Sequence, residues 1–293
     1  MPLDRLDALL RRFGVTAELF HAGALCGVND LAPVPGRGHL HVIRRGPVEV
    51  IHPDGARFVL DAPTLLFYPR PLAHRFVTDP DTGADMACAT VAFDAGADSP
   101  LARALPAVLC VPFADGGRMQ ATAELLFAEA LEPQCGRQIV VDRLFEVLLV
   151  QLLRWTMARE ASTDGMLAGL AHPRLRQALV AMHEAPATAW TLDALAARAG
   201  LSRSRFAEAF CTVVGTTPLE YLATWRVALA QDLLRRGRPL KRIADEVGYG
   251  SPVALNRAFK ARTGLGTRAW RQAQDVAPAA AGTPASAASV TKV

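Results

Sequence analysis

Residues 190–210, WTLDALAARAGLSRSRFAEAF, and residues 238–266, RPLKRIADEVGYGSPVALNRAFKARTGLG, carry one pattern twice. Leu195, Ala196, Gly200, Phe206, Phe210, Gly215, Pro218 and Tyr221 recur as Ile243, Ala244, Gly248, Leu255, Phe259, Gly264, Thr267 and Trp270, offset by 48 residues and, after one extra residue past Gly248, by 49. In the first copy Thr191 is placed to cap a helix whose Leu192, Leu195, Ala196 and Ala199 share a face, and Gly200 supplies the turn. Ser202 is then placed to cap a second helix that opens on Arg203, Ser204 and Arg205. The second copy repeats this with Ser251 as cap and Asn256, Arg257 and Lys260 on the following helix. This is helix-turn-helix grammar: the second helix offers its first side chains to base edges while the first helix braces on phosphates. Between the copies, Leu219–Arg235 reads as a long helix able to hold the units about 34 Å apart, one turn of DNA. Two copies are too few for a solenoid and each is too short for its own core, so they read as one domain.

Charge follows the duplication. Residues 172–271 hold 16 Lys+Arg against 7 Asp+Glu, a balance of +9, and the rest of the 293-residue chain holds 16 against 21, or −5. A basic half joined to an acidic one is expected of a domain that meets phosphates beside one that does not. The apolar fraction of 51% suffices for two packed domains. The longest greasy run, Ile139–Met157, contains Asp142, Arg143, Glu146, Gln151 and Arg154, too polar for a membrane span, and the N-terminus shows no export signal. Five cysteines without a CxxC pair read as reduced thiols in a cytoplasmic chain.

Upstream of the duplication the texture differs. HLHVIRR (39–45), VEVIHP (48–53), RFVLD (57–61), TLLFYP (64–69), HRFVT (74–78) and MACATVAF (86–93) are rich in β-branched and aromatic residues and are broken by Pro, Gly and Asp at hairpin intervals. They predict a small antiparallel barrel or sandwich, preceded by a short helix with Leu3, Leu6, Leu10 and Phe13 packed on it. Residues 119–131 and 137–160 predict two helices. The second is apolar nearly all round, which suits either an ordinary core helix or one shared with a twin subunit. The resulting division is 1–111 barrel, 112–160 helical hairpin for dimerisation, 161–171 linker, 172–273 double helix-turn-helix domain and 274–293 disordered tail; the fold class is α+β multidomain.

Residues 190–271 resemble the DNA-binding domain of AraC/XylS-type transcription regulators, notably in LSRSRFAEAF, VVGTTPLEYL, RIADEVGYGS and RAFKARTG. The resemblance implies base-reading positions at Arg203, Ser204, Ala207 and Glu208 in the first unit and at Pro252, Val253, Asn256 and Arg257 in the second. Ala207, Pro252 and Val253 have no side-chain hydrogen-bonding group, so readout is expected to lean on the first unit and Arg257. The N-terminal region resembles the cupin-like sensor domain of one subgroup of these regulators, in AGALCG, HLHVIRRGPVEV, APTLLFYPRPLAHRF and LARALPAVLCV.

That second resemblance raises three possibilities. His39 and His41, two apart on one strand, point to one face, and His74 lies where cupins place their last histidine ligand, so the three could hold a divalent metal. The alternative is half-buried histidines bonding across the barrel. Glu49 is out of register with the cupin glutamate, and Pro71 replaces a glycine. Cys26 and Cys88 match positions where the subgroup carries cysteines, implying a redox pair in an oxidant sensor, with buried inert thiols as the alternative. A small organic effector could enter the barrel mouth past Phe67, Tyr68, Arg70 and Arg75. The whole chain thus reads as a non-enzymatic, sequence-specific regulator acting on promoter DNA, as a homodimer, with RNA polymerase as a partner if it activates. A metal-dependent cupin enzyme fused to a DNA-binding module is the alternative, and a purely architectural DNA binder a further one.

Overall fold

β-branched runs too short to bury both faces alone pair edge to edge, and here they build two antiparallel sheets. The computed structural model describes residues 3–96, 99–115, 117–132, 134–159 and 164–276. A short helix α1 (Asp7–Arg12) leads into β1 (Val15–Leu25), β2 (Val28–Leu31), β3 (Arg37–Arg45), β4 (Val48–Ile51), β5 (Arg57–Leu60), β6 (Thr64–Tyr68), β7 (His74–Val77) and β8 (Ala84–Phe93). Helix α2 (Pro100–Ala104) and strand β9 (Leu109–Pro112) complete the layer. One sheet has the order β1-β8-β3-β6-β9 and the other β2-β7-β4-β5. The expected barrel is therefore a cupin-like pair of sheets.

The central strand β3 is buried on both faces, and alternation decides which residue serves which side. Ile43 joins Leu66, Tyr68, Phe76, Met86 and Cys88 in a core between the sheets. Leu40 and Val42 join a second core, under helices α3 (Arg118–Leu131) and α4 (Arg137–Ala158).

That second core does not stop at the domain boundary. It continues through α5 (Gly165–Ala171) into α6 (Leu175–Glu184), α7 (Leu192–Ala199), α8 (Arg203–Val214), α9 (Pro218–Arg235), α10 (Leu240–Val247), α11 (Pro252–Thr263) and α12 (Thr267–Val276). The expected linker is corrected here: residues 160–163 lie outside the described residues, but Gly165–Ala171 is a helix with Met166, Leu167, Gly169 and Leu170 buried. Its small residues permit close packing, since a Cβ on Gly169 would stand 2.5 Å from Leu179 Cδ1 and 2.9 Å from Val214 Cγ2. The last helix runs three residues past the expected boundary at 273; the remainder of the expected tail, 277–293, lies outside the described residues.

Helix α1 also differs from expectation. It packs on α6 of the C-terminal domain, where Phe13, fully buried, meets Trp225 edge-on at 5.2 Å between ring centroids. Arg12 donates to Glu184 O, Arg5 to Leu170 O, and Arg236 pairs with Asp94, so the N-terminal layer is tied to the helices from α5 onward at several points.

Candidate nucleic-acid interface and histidine cluster

Each reading unit is built by local rules. Thr191 Oγ1 accepts from Ala194 N and caps α7; Gly200 ends it at φ +63° and Gly248 ends α10 at φ +83°, conformations that favour glycine. Ser251 Oγ accepts from Ala254 N as expected, whereas Ser202 sits at the N-cap of α8 without a side-chain cap bond. Helix α9 begins with a capping box, Thr217 with Glu220, and its 18 residues span about 27 Å at 1.5 Å each. Its Arg226 fastens the approach to the first unit by donating to Pro186 O and Thr188 O, and Arg174 braces the first turn through Gly200 O.

On α8, Arg203, Ser204, Arg205 and Glu208 are exposed. Arg203 lies 3.7 Å from Asp193, a pair so solvated that it is worth at most about 1 kcal/mol and yields readily to another anion. On α11, Arg257 and Lys260 are exposed and form no ion pair among the described residues. Asn256 is different, and the expected base-reading role is corrected in part. Its Oδ1 accepts from Thr267 N at 2.9 Å and from Thr267 Oγ1 at 3.0 Å, bracing the start of α12. Ser251 is likewise spent as a cap.

In the sensor layer, β3 directs His39 and His41 inward, and His74 at the start of β7 meets them from the opposite sheet. Their ligand-capable nitrogens all lie within 4.8 Å of one another, and all three residues are buried. His74 Nδ1 is 2.9 Å from Leu72 O, so the neutral ring carries its proton there and leaves Nε2 bare toward His41 Nε2, also at 2.9 Å. His41 Nε2 must then donate, and its Nδ1 is buried without a partner. Burial lowers all three, and repulsion from neighbouring rings adds to it at His41 and His74: His41 falls well below the usual range and His74 to about 4. Neutral imidazoles with free lone pairs are what a divalent ion requires, so this donor set fits one. Glu49 points away, toward Arg57 at 3.6 Å, and offers no carboxylate.

His21 was not marked from the sequence; it pairs across β8 with Cys88, as His41 does from the other side, and its Nε2 is buried without a partner. Only strand register reveals it. His52, also unmarked, holds Tyr68 Oη at 2.9 Å, and Tyr68 stacks on His74 at 4.1 Å.

The remaining sensor expectations are corrected. Cys26 follows Leu25, which pairs with Ala84, while Cys88 pairs with His21. Five residue steps along the chain lead from Gly83, beside Cys26, to Cys88 on β8, or about 16 Å of strand, against a Cα separation of at most about 7 Å for a disulfide. Both thiols are free, and burial pushes that of Cys88 far up, away from reactive thiolate. The residues expected at the effector mouth are engaged elsewhere: Phe67 and Tyr68 are core residues, Arg70 donates to Ala102 O and Leu105 O, and Arg75 to Asp30.

Two facing sheets around a histidine cluster, followed by two helix-turn-helix units on one long helix, define a cupin domain joined to a duplicated DNA-reading domain. The chain belongs to the AraC/XylS-type regulators with an N-terminal cupin: residues 4–158 match the family model described as Cupin, and residues 195–273 the one described as Helix-turn-helix domain. It is similar to the HTH-type transcriptional regulator AlkR of Acinetobacter baylyi, 35% identical over 59% of this chain and 58% of that one. It is 27% identical to the RCS-specific HTH-type transcriptional activator RclR of Escherichia coli, over 91% of this chain and 98% of that one. The crystal structure of the DNA-binding domain of AdpA, a global transcriptional factor, in complex with a target DNA is 33% identical, covering 35% of this chain and 93% of that one with a TM-score of 0.33. The match spans 57% and 58% of the first curated relatives' length. No helix among the described residues is long and apolar enough to cross a membrane.

Proposed function

We propose that this chain is a sequence-specific transcription regulator that binds double-stranded promoter DNA through α8 and α11. The observation that carries this is two helix-turn-helix units set on α9, each presenting an exposed basic second helix. Arg203 and Arg205, with Ser204 and Glu208, read from α8; Arg257 reads from α11, with Lys260 on phosphate. In a mobility-shift assay against the chain's own upstream region, Arg203→Ala and Arg257→Ala should each weaken binding by about 1–3 kcal/mol, roughly 5- to 150-fold, and relax preference at one base pair. Unchanged binding by both variants would reject the assignment. Asn256→Ala should instead lower thermal stability, because Thr267 loses its brace.

We further propose that His39, His41 and His74 hold a divalent ion. When bound, the ion supplies a charge centre linking β3 to β7, and so one sheet to the other; Leu72 O keeps His74 oriented for it. That the site serves a sensor and not an enzyme is supported by the relatives named as regulators. Elemental analysis of protein purified without chelator should find about one equivalent of metal per chain, lost in His41→Gln. A metal-free wild type would exclude the site. Homodimerisation is supported by the exposed Ile139, Val140 and Val147 of α4.

A further inference from the structure

Val253 is 70% exposed, more than any other large apolar side chain among the described residues. A scattered surface valine needs no explanation, but this one stands at a particular place. It lies in the first turn of α11, the second helix of its unit, and that turn is where such a helix meets base edges. Leu255 and Phe259, fully buried, define the inner face of α11. Val253, Arg257 and Lys260 follow one another at steps of four and three residues along the outer face, and all three are exposed. At a solvent-facing helix position a β-branched residue is a poorer helix former than alanine, so the branched apolar group there does nothing for folding.

The turn also holds Val253 in place. Pro252 fixes φ at the residue before it, and Ser251 Oγ accepts from Ala254 N at 3.1 Å, so the backbone on both sides is pinned. Asn256, the polar neighbour on the helix, is turned to Thr267, which leaves Val253 and Arg257 as the reading pair of this unit. We infer that Val253 reads a thymine in the major groove by packing on its 5-methyl group, within about two base pairs of the guanine taken by Arg257. The chemistry selects that base. A valine side chain has no donor or acceptor for a phosphate or a polar base edge, and the 5-methyl of thymine is the apolar group that the major groove displays. The spacing follows from the helix: four residues rise about 6 Å, against about 3.4 Å between stacked base pairs. The second unit, poor in hydrogen-bonding side chains, thus reads one methyl group and one guanine edge. This inference rests on the regulator reading above and names the base that one of its side chains selects.

The test is uracil interference with the full chain. The chain's own upstream region is prepared with sparse, random deoxyuridine in place of thymidine, which removes single methyl groups and leaves every hydrogen bond of the base pair. Bound and free fractions from a mobility-shift gel are cleaved at uracil and compared. With wild type, at least one position should show uracil depleted from the bound fraction by about fourfold, the ratio that burial of one methyl group supplies. Val253→Ala should lose the depletion at one such position and keep the rest of the pattern, while Val253→Ile should keep it everywhere. On the all-thymine fragment Val253→Ala should bind about fourfold more weakly than wild type, with an unchanged thermal melt. An interference pattern unaltered by Val253→Ala, or a wild-type complex that discriminates sequence yet has no uracil-sensitive position, overturns the inference and leaves the regulator reading standing. A wild type that shows no sequence preference at all overturns both.

Discussion

Gly38→Ala should yield a protein that is insoluble or unfolded at 37 °C. Gly38 lies on β3, one residue before His39, and a Cβ there would stand 2.1 Å from Tyr68 O and 3.0 Å from the carbonyl carbon of Pro69. Both are backbone, so no rotamer relieves the clash; β3 must part from β6 where His39 pairs with Tyr68. Strain of that kind belongs to the rare class costing more than about 4 kcal/mol, against a total stability on the order of 5–15 kcal/mol. Gly250→Ala is the control. No atom lies within 4 Å of its added methyl and its φ is ordinary, so it should change stability by less than about 1 kcal/mol. Urea denaturation of the two variants separates them, and a Gly38→Ala midpoint equal to wild type would contradict the packing described for β3.

The second large effect is acid lability centred on His183. This histidine of α6 is fully buried; its Nε2 lies 2.7 Å from Tyr221 Oη, and its ring stacks on Trp225 at 4.1 Å. Burial first, then the Arg12 guanidinium, lowers its pKa to about 3. Because the folded pKa is below the unfolded value of about 6.5, the unfolded chain takes up the proton first as pH falls. Stability is therefore complete above pH 6.5 and declines toward pH 3, by up to about 4–5 kcal/mol from this group. His183→Gln, which keeps an acceptor near Tyr221, should be less stable at pH 7.5 yet show a flatter decline between pH 6.5 and 4. Parallel curves for variant and wild type would locate the acid sensitivity elsewhere.

What the sequence revealed and what it concealed divide along physical lines. The reading units were legible because capping residues, turn glycines and helical periodicity are local, and duplication doubled each signal. His39 and His41 were legible because strand alternation is local too. The failures all depend on contacts distant in sequence. Gly165–Ala171 reads as a linker because small residues suit loops, yet here they let helices approach until not even a Cβ fits at Gly169. Asn256 is engaged by Thr267, eleven residues away, through a turn whose geometry no spacing rule encodes. Cys26 directly follows β1 and Cys88 lies on β8, and only the register of the two strands shows that they never meet.

Phe13 against Trp225 has a practical corollary for anyone dividing this molecule. A fragment beginning at residue 172 carries both reading units but leaves Trp225, on which His183 stacks, without the aromatic lid that Phe13 at the end of α1 provides. Such a fragment presents a fresh apolar face to its neighbours in the tube, and its solubility and DNA affinity describe a surface that the intact polypeptide never shows.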